Sequence, residues 1–151
     1  MKTVKFVITK EDVYKRIFTT SAYTARARES MGIPSNVGER MLITADEQKV
    51  IEPLIDESVN KVFCNIERYH PGSSIEYADT AYMFSINTPA NYPAENGKKL
   101  RISIESYIIH HTLQDWYTNI KPDDASIIAV QTQNDAMTIE QLLTQRTKPS
   151  I

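Results

Sequence analysis

The adjacent histidines of "IESYIIHHTLQDWY", residues 104–117, are the first place in the chain to look for chemistry. Neighbouring residues on a helix point about 100° apart, so His110 and His111 cannot both grip one metal ion, which wants helical ligands three or four positions apart. Asp115 follows His111 at that spacing and allows a histidine–carboxylate hydrogen bond, but no third ligand accompanies them. The pair reads as packing or capping residues. Cys64, Glu67 and His70 are spaced by three and suggest a soft metal site, yet their directions drift round the helix and no fourth ligand is in view. As a nucleophilic pair Cys64 and His70 also fail, being roughly 9 Å apart along a helix axis.

Glu47, Glu52, Asp56 and Glu57 recur at helical spacing with lysines nearby, the pattern of a solvated face. No P-loop, GxGxxG, G-x-S-x-G or H-E-x-x-H pattern occurs. No catalytic, metal or cofactor residue is assigned on these grounds, and an enzyme is the least supported class.

The 151 residues fit one domain with a core of its own, and 41% hydrophobic with 24% charged residues is ordinary for a soluble fold. A formal charge of −2 gives no general drive toward phosphates. Lys15, Arg16, Arg26 and Arg28 come nearest to a basic strip and are read as a solvated helix face. A single cysteine, Cys64, permits no intrachain disulfide and suits a reducing interior. The opening "MKTVKFVITKEDVYK" is too short in apolar residues for a signal peptide, and no later run approaches a membrane span.

These side chains need elements to hold them. Val4, Phe6 and Ile8 alternate as in a short strand, and Thr9 can cap a helix whose apolar line is Val13, Ile17, Phe18 and Ala22, ending near Arg28. "SMGIPSNVGER" is a loop, and Thr44 with Glu47 forms a capping box that opens a second helix. Ile51, Leu54, Ile55, Val59, Val62, Phe63 and Ile66 share its apolar side, Pro53 kinks or restarts it, and "HPGSS" stops it. Ile75 with Tyr77, then Tyr82, Phe84 and Ile86, alternate as a hairpin. "NTPANYPAENGKK" is a long loop. "NIKPDD" separates the last two helices, with Asp123 or Asp124 as cap and Ala125, Ile128, Thr132, Ile139, Leu142 and Leu143 on one face; the tail "TKPSI" reads as frayed. The expected fold is mainly α with a small β-hairpin (α+β): about four helices in a bundle, a short N-terminal strand and a central hairpin.

The third helix, expected from Lys98 to Asn119, has two apolar stripes. Leu100, Ile104, Tyr107, Ile108 and His111 form one; Ile102, Ile109, Leu113, Trp116 and Tyr117 form another roughly opposite. A helix apolar on two sides is covered on two sides, and the second cover is expected from a neighbouring subunit. Tyr92, Tyr107 and Tyr117 fit equally a contact surface or a tyrosine-rich core. Tyr92, Tyr107, Ile109, Leu113, Trp116 and Tyr117 are therefore the expected subunit or partner interface. Polar replacement of Trp116 and Tyr117 is expected to weaken assembly more than folding.

The stretches "VYKRIFTTSAYTARA", "ITADEQKVIEPLIDESV" and "DWYTNIKPDDASIIA", with the closing "TKP", resemble a family of small head-to-tail connector or neck proteins of tailed phages and prophages of gut Bacteroidetes. The resemblance covers most of the chain and brings no catalytic residues. It implies a structural virion protein of the neck or tail region, made in the host cytoplasm. Such a protein forms a ring of about twelve copies between portal protein and neighbouring neck or tail proteins. Double-stranded DNA passes its lumen without specific binding, and no membrane is involved. A mildly acidic channel wall lets DNA slide. A tail-completion protein or a cellular protein-interaction module is the alternative.

Overall fold

The computed structural model describes residues 2–30 and 48–147. Strand β1 (Lys2–Thr9) leads into helix α1 (Lys10–Ser30); helix α2 (Gln48–Tyr69) is followed by strands β2 (Ser74–Tyr77) and β3 (Ala81–Thr88), then by helices α3 (Asn96–Thr118) and α4 (Pro122–Thr144). Among the described residues, four helices and a three-stranded antiparallel sheet make the expected mainly α, α+β fold. The strand order is β1-β3-β2, so the N-terminal strand and the central hairpin form one sheet.

Period-two patterning sets the face of that sheet. Phe6 lies opposite Phe84 with rings stacked at 5.1 Å, and Tyr77 lies opposite Tyr82, edge-on at 5.8 Å. Ile8, Tyr82, Phe84 and Ile86 are buried on the helix side, whereas Lys5 and Val7 point outward. Thr9 caps α1 as expected, its Oγ1 accepting the Asp12 N–H at 3.3 Å.

The apolar line of α2 packs inward through Ile51, Ile55, Val59, Val62 and Ile66. The capping box at Thr44 and Glu47 lies outside the described residues, as do the side chains of Arg26 and Arg28. Pro53 sits inside a continuous helix rather than at a restart, and its missing N–H leaves the Lys49 carbonyl without its usual partner. Gly72 ends the turn after α2 at φ +90°, a backbone state that side chains rarely adopt, and a Cβ there would lie 3.0 Å from the Asn87 amide.

The two last helices begin differently from expectation. Helix α3 starts at Asn96, before Lys98, because Asn96 is itself buried and donates from Nδ2 to Gln145 at 2.8 Å. At α4 the cap is Lys121, not an aspartate: Pro122 takes the first helical position, which its fixed φ suits, and Asp123 and Asp124 follow inside the first turn, where they favour the helix dipole.

Helix α3 is the axis of the molecule. The sheet, α1 and α2 pack on its first stripe and α4 runs back along it. Leu100, Ile104, Ile108, Ile109, Leu113 and Tyr117 are all at most 1% exposed, so α3 is enclosed nearly all round by its own chain. Among the described residues, no helix is long and apolar enough to cross a membrane.

Candidate interaction surface

The histidines separate into three unrelated contacts. His111 on α3 sits against α2: its Nδ1 is 2.7 Å from Ser58 Oγ, and Ser58 Oγ is also 3.0 Å from Thr112 Oγ1. Asp115 Oδ2 lies 3.6 Å from the same Nδ1, too far for the anticipated hydrogen bond, while Lys61 Nζ faces Nε2 at 3.4 Å. Serine, histidine and aspartate thus meet, but not as a nucleophilic triad. A triad needs serine on one ring nitrogen and carboxylate on the other. Here both crowd Nδ1, and Ser58 gives its one proton to the Leu54 carbonyl at 2.9 Å. Its oxygen is left to accept from Nδ1–H and from Thr112. Ser58 and Thr112 are fully buried, so no substrate reaches them.

Burial lowers the His111 pKa from the ordinary imidazole range; Asp115 pulls it back upward and Lys61 adds to the lowering. The fold therefore holds the neutral ring more strongly than the unfolded chain does. That contribution is complete above the unfolded value of about 6.5 and is lost as pH falls from there through the lower folded value. The urea midpoint should drop between pH 7.5 and pH 5, and the drop should shrink in His111→Asn. An equal drop in both proteins would assign the acid sensitivity to other groups.

His110 turns the other way, with Nδ1 2.5 Å from Asp135 Oδ2 on α4. Cys64 and Glu67 are exposed on α2, whereas His70 is buried, so these three do not converge. Among the described residues, no group of His, Cys, Asp and Glu side chains is placed to hold a metal ion.

The acidic series is only partly a solvated face. Glu52 pairs with Lys10 at 3.3 Å, and Asp56 accepts the hydroxyl of buried Tyr82 at 2.7 Å. Burial and then that carboxylate push the Tyr82 pKa far above the ordinary phenol value. Arg16, from the basic strip, reaches the buried Glu105 at 3.3 Å, and Arg101 reaches it from one turn away at the same distance. A cavity of about 860 Å³ opens beside Lys10, Tyr14, Lys15, Glu52 and Asp79. Its charges are of both signs and its Lys10 ammonium is taken by Glu52, so no convergent binding set lines it among the described residues.

The residues expected at a subunit interface lie mostly inside. Tyr92, Tyr107, Ile109, Leu113 and Tyr117 are buried in this chain's own core, and Trp116 is half-buried against it. Helix α4 supplies the second cover of α3 that was expected from a neighbour. Tyr92, from the long loop, donates its hydroxyl to the Leu142 carbonyl at 2.7 Å and so helps to cap α4. Of the second stripe only Ile102 faces out, half exposed.

Large apolar side chains are exposed singly at Val7, Val50 and Tyr77, and as a group on the back of α4. Ile127, Val130 and Met137 are 55%, 58% and 54% exposed. Val130 and Met137 are seven residues apart, within about 20° of one another and opposite the buried line of Ile128, Thr132, Ile139 and Leu142. Around them stand Ser126, Gln131, Gln133, Asn134, Thr138 and Gln141, all uncharged and exposed, with exposed Glu140 at the edge one turn from Met137. From Ala125 to Ile139 the single charged residue is Asp135, and His110 holds it. Exposed helix faces are normally charged, as that of α2 is with Lys49, Glu57, Lys61, Glu67 and Arg68. Depletion of charge around exposed large apolar side chains is the composition of an interface centre. The signal was present in the sequence, as a stretch from Ala125 to Ile139 with one charged residue, but the buried and exposed sides of α4 had to be known before it could be read.

The fold and this surface define a helical α+β protein with an exposed apolar line on α4 and no assembled catalytic group among the described residues. No family model, curated protein or solved structure matches the chain.

Proposed function

We propose that this chain is a structural, non-catalytic protein that works by assembling with other protein surfaces, and that its place is the neck of a tailed phage. In that reading it is a head-to-tail connector, copies of which form a ring between portal and tail around a lumen that DNA passes without specific binding. The outer face of α4 supports the assembling role, since its exposed Val130 and Met137 lie among uncharged side chains, with Glu140 as the charged residue at the edge beside Met137. The neck itself is inferred from the sequence resemblance. The inward commitment of His111, Ser58 and His70 to bracing contacts favours a structural role over catalysis.

Native mass spectrometry over a range of concentrations, with negative-stain images of the same sample, tests the reading. A closed cyclic oligomer with a central hole is the expected result. A chain that stays monomeric at every concentration, and does not bind a phage portal ring, overturns it.

A further inference from the structure

We infer that the two open edges of the sheet join copy to copy, β1 of one chain pairing in parallel with β2 of the next. Both outer strands run antiparallel to β3, so they are parallel to each other and lie on opposite edges. Among the described residues nothing pairs with either edge, and β1 keeps its register over all 8 residues with no proline or bulge to blunt it. The Lys10 N–H donates to the Thr80 carbonyl at 2.9 Å, which continues the ladder between β1 and β3 and fixes its phase. Lys2, Val4, Phe6 and Ile8 therefore bond to β3, and Thr3, Lys5 and Val7 turn their N–H and C=O groups outward. Ala78 donates likewise to Ala81 at 2.9 Å, so Ile75 and Tyr77 hold the outward groups of β2.

Setting Lys5 opposite Glu76 of the next copy satisfies both rows. The Ile75 N–H then donates to the Thr3 carbonyl, the Lys5 N–H to Ile75, the Tyr77 N–H to Lys5 and the Val7 N–H to Tyr77, which is the slanted ladder of a parallel pair. The same register keeps the helix side of one sheet level with that of the next. Val4 meets Ile75 there, and Phe6 meets Tyr77, which is 48% exposed in the single chain. On the outer face Lys5 meets Glu76, both exposed and neither paired within its own chain among the described residues.

Charge decides between this contact and its rivals. Antiparallel pairing of β1 with another β1 about its middle sets Lys5 against Lys5, and β2 with β2 sets Glu76 against Glu76; like charges directly opposite are unfavourable. Head-to-tail pairing joins opposite charges. Because it uses two different edges it is heterologous, so each added copy offers a fresh edge until the rotation between copies closes a ring. The paired stretch from Thr3 to Val7 is about 16 Å long, so two free chains hold each other weakly. A chain in a closed ring uses both of its edges and leaves only by breaking two contacts at once. The inference rests on the ring proposed above and deepens it to a particular contact.

Cysteine cross-linking of the full chain tests it, with the exposed native thiol removed by Cys64→Ser. Lys5→Cys and Glu76→Cys in one chain lie two strand spacings apart, about 10 Å, and do not reach each other, whereas in neighbouring copies they are one spacing apart. Under mild oxidation this double variant should give a ladder of covalent dimers, trimers and larger species, and each single variant should stay monomeric. Ready dimerisation of Lys5→Cys alone, or of Glu76→Cys alone, would replace head-to-tail pairing with pairing of like edges. In the chain without added cysteines, Lys5→Glu should raise the concentration at which half of the copies are assembled about tenfold, and adding Glu76→Lys should restore it, both read by native mass spectrometry. Absence of the ladder together with no response to Lys5→Glu would overturn the contact. Rings in stain under those conditions would leave the ring reading standing, whereas a ladder from open filaments without rings would keep the contact and overturn the ring.

Discussion

Tyr117→Ser should strongly destabilise the folded protein, not merely disperse an assembly. Tyr117 is fully buried near the end of α3, in the core cluster to which α4 contributes Ile128, Ile139 and Leu143. Truncating a buried aromatic removes its transfer energy and leaves a cavity, a loss of about 3–5 kcal/mol. Against a total stability of about 5–15 kcal/mol for a domain, that is at least about a fifth of what holds the chain folded. Val130→Ser, on the exposed back of α4, should change stability by less than about 0.5 kcal/mol. Urea titration followed by circular dichroism separates the two. A Tyr117→Ser protein with a wild-type midpoint would mean that α4 does not cover α3 as described, and would return this residue to a subunit interface.

The contrast shows what the sequence carries and what it leaves out. Period-two and helical patterning alone place Ile8, Phe84, Ile86 and the inner line of α4 in the core, and all of them are buried. The same patterning finds two apolar stripes on α3, but an angle on a helix says only that something covers it. It does not say whose chain does so. The short turn from Asn119 to Lys121 lets α4 fold straight back along α3, and its own apolar line needs a partner there, so one chain satisfies both. Polar bracing was illegible for a different reason. His110 finds Asp135 from 25 residues away, and His70 binds backbone carbonyls, which carry no residue type for a pattern to detect.

Those carbonyls make His70→Ala the second damaging substitution. His70 follows α2 and is 2% exposed. Its Nε2 is 2.7 Å from the Leu143 carbonyl in the last turn of α4, and its Nδ1 is 3.2 Å from the Asn87 carbonyl at the end of β3. The last carbonyls of a helix have no partner within it, and at α4 side chains from elsewhere in the fold supply them: Tyr92 and Asn96 reach Leu142, while His70 and Arg146 reach Leu143. Alanine removes the ring, leaves a cavity beside Tyr92, whose ring it meets edge-on at 5.6 Å, and strips the Leu143 carbonyl, the nearer of the two at 2.7 Å, of its imidazole partner. The expected loss is about 2–4 kcal/mol. Tyr92→Phe deletes only one hydroxyl from the same cap and should cost about 1 kcal/mol. The damage should also be local: amides of Ile139 to Leu143 should exchange with deuterium sooner than those of Ile104 to Ile108, because α4 opens from its C-terminal turn while α3 stays enclosed. Equal acceleration in both helices would mean that His70 supports the whole core and is not the clasp that ties the end of α4 to α2 and β3.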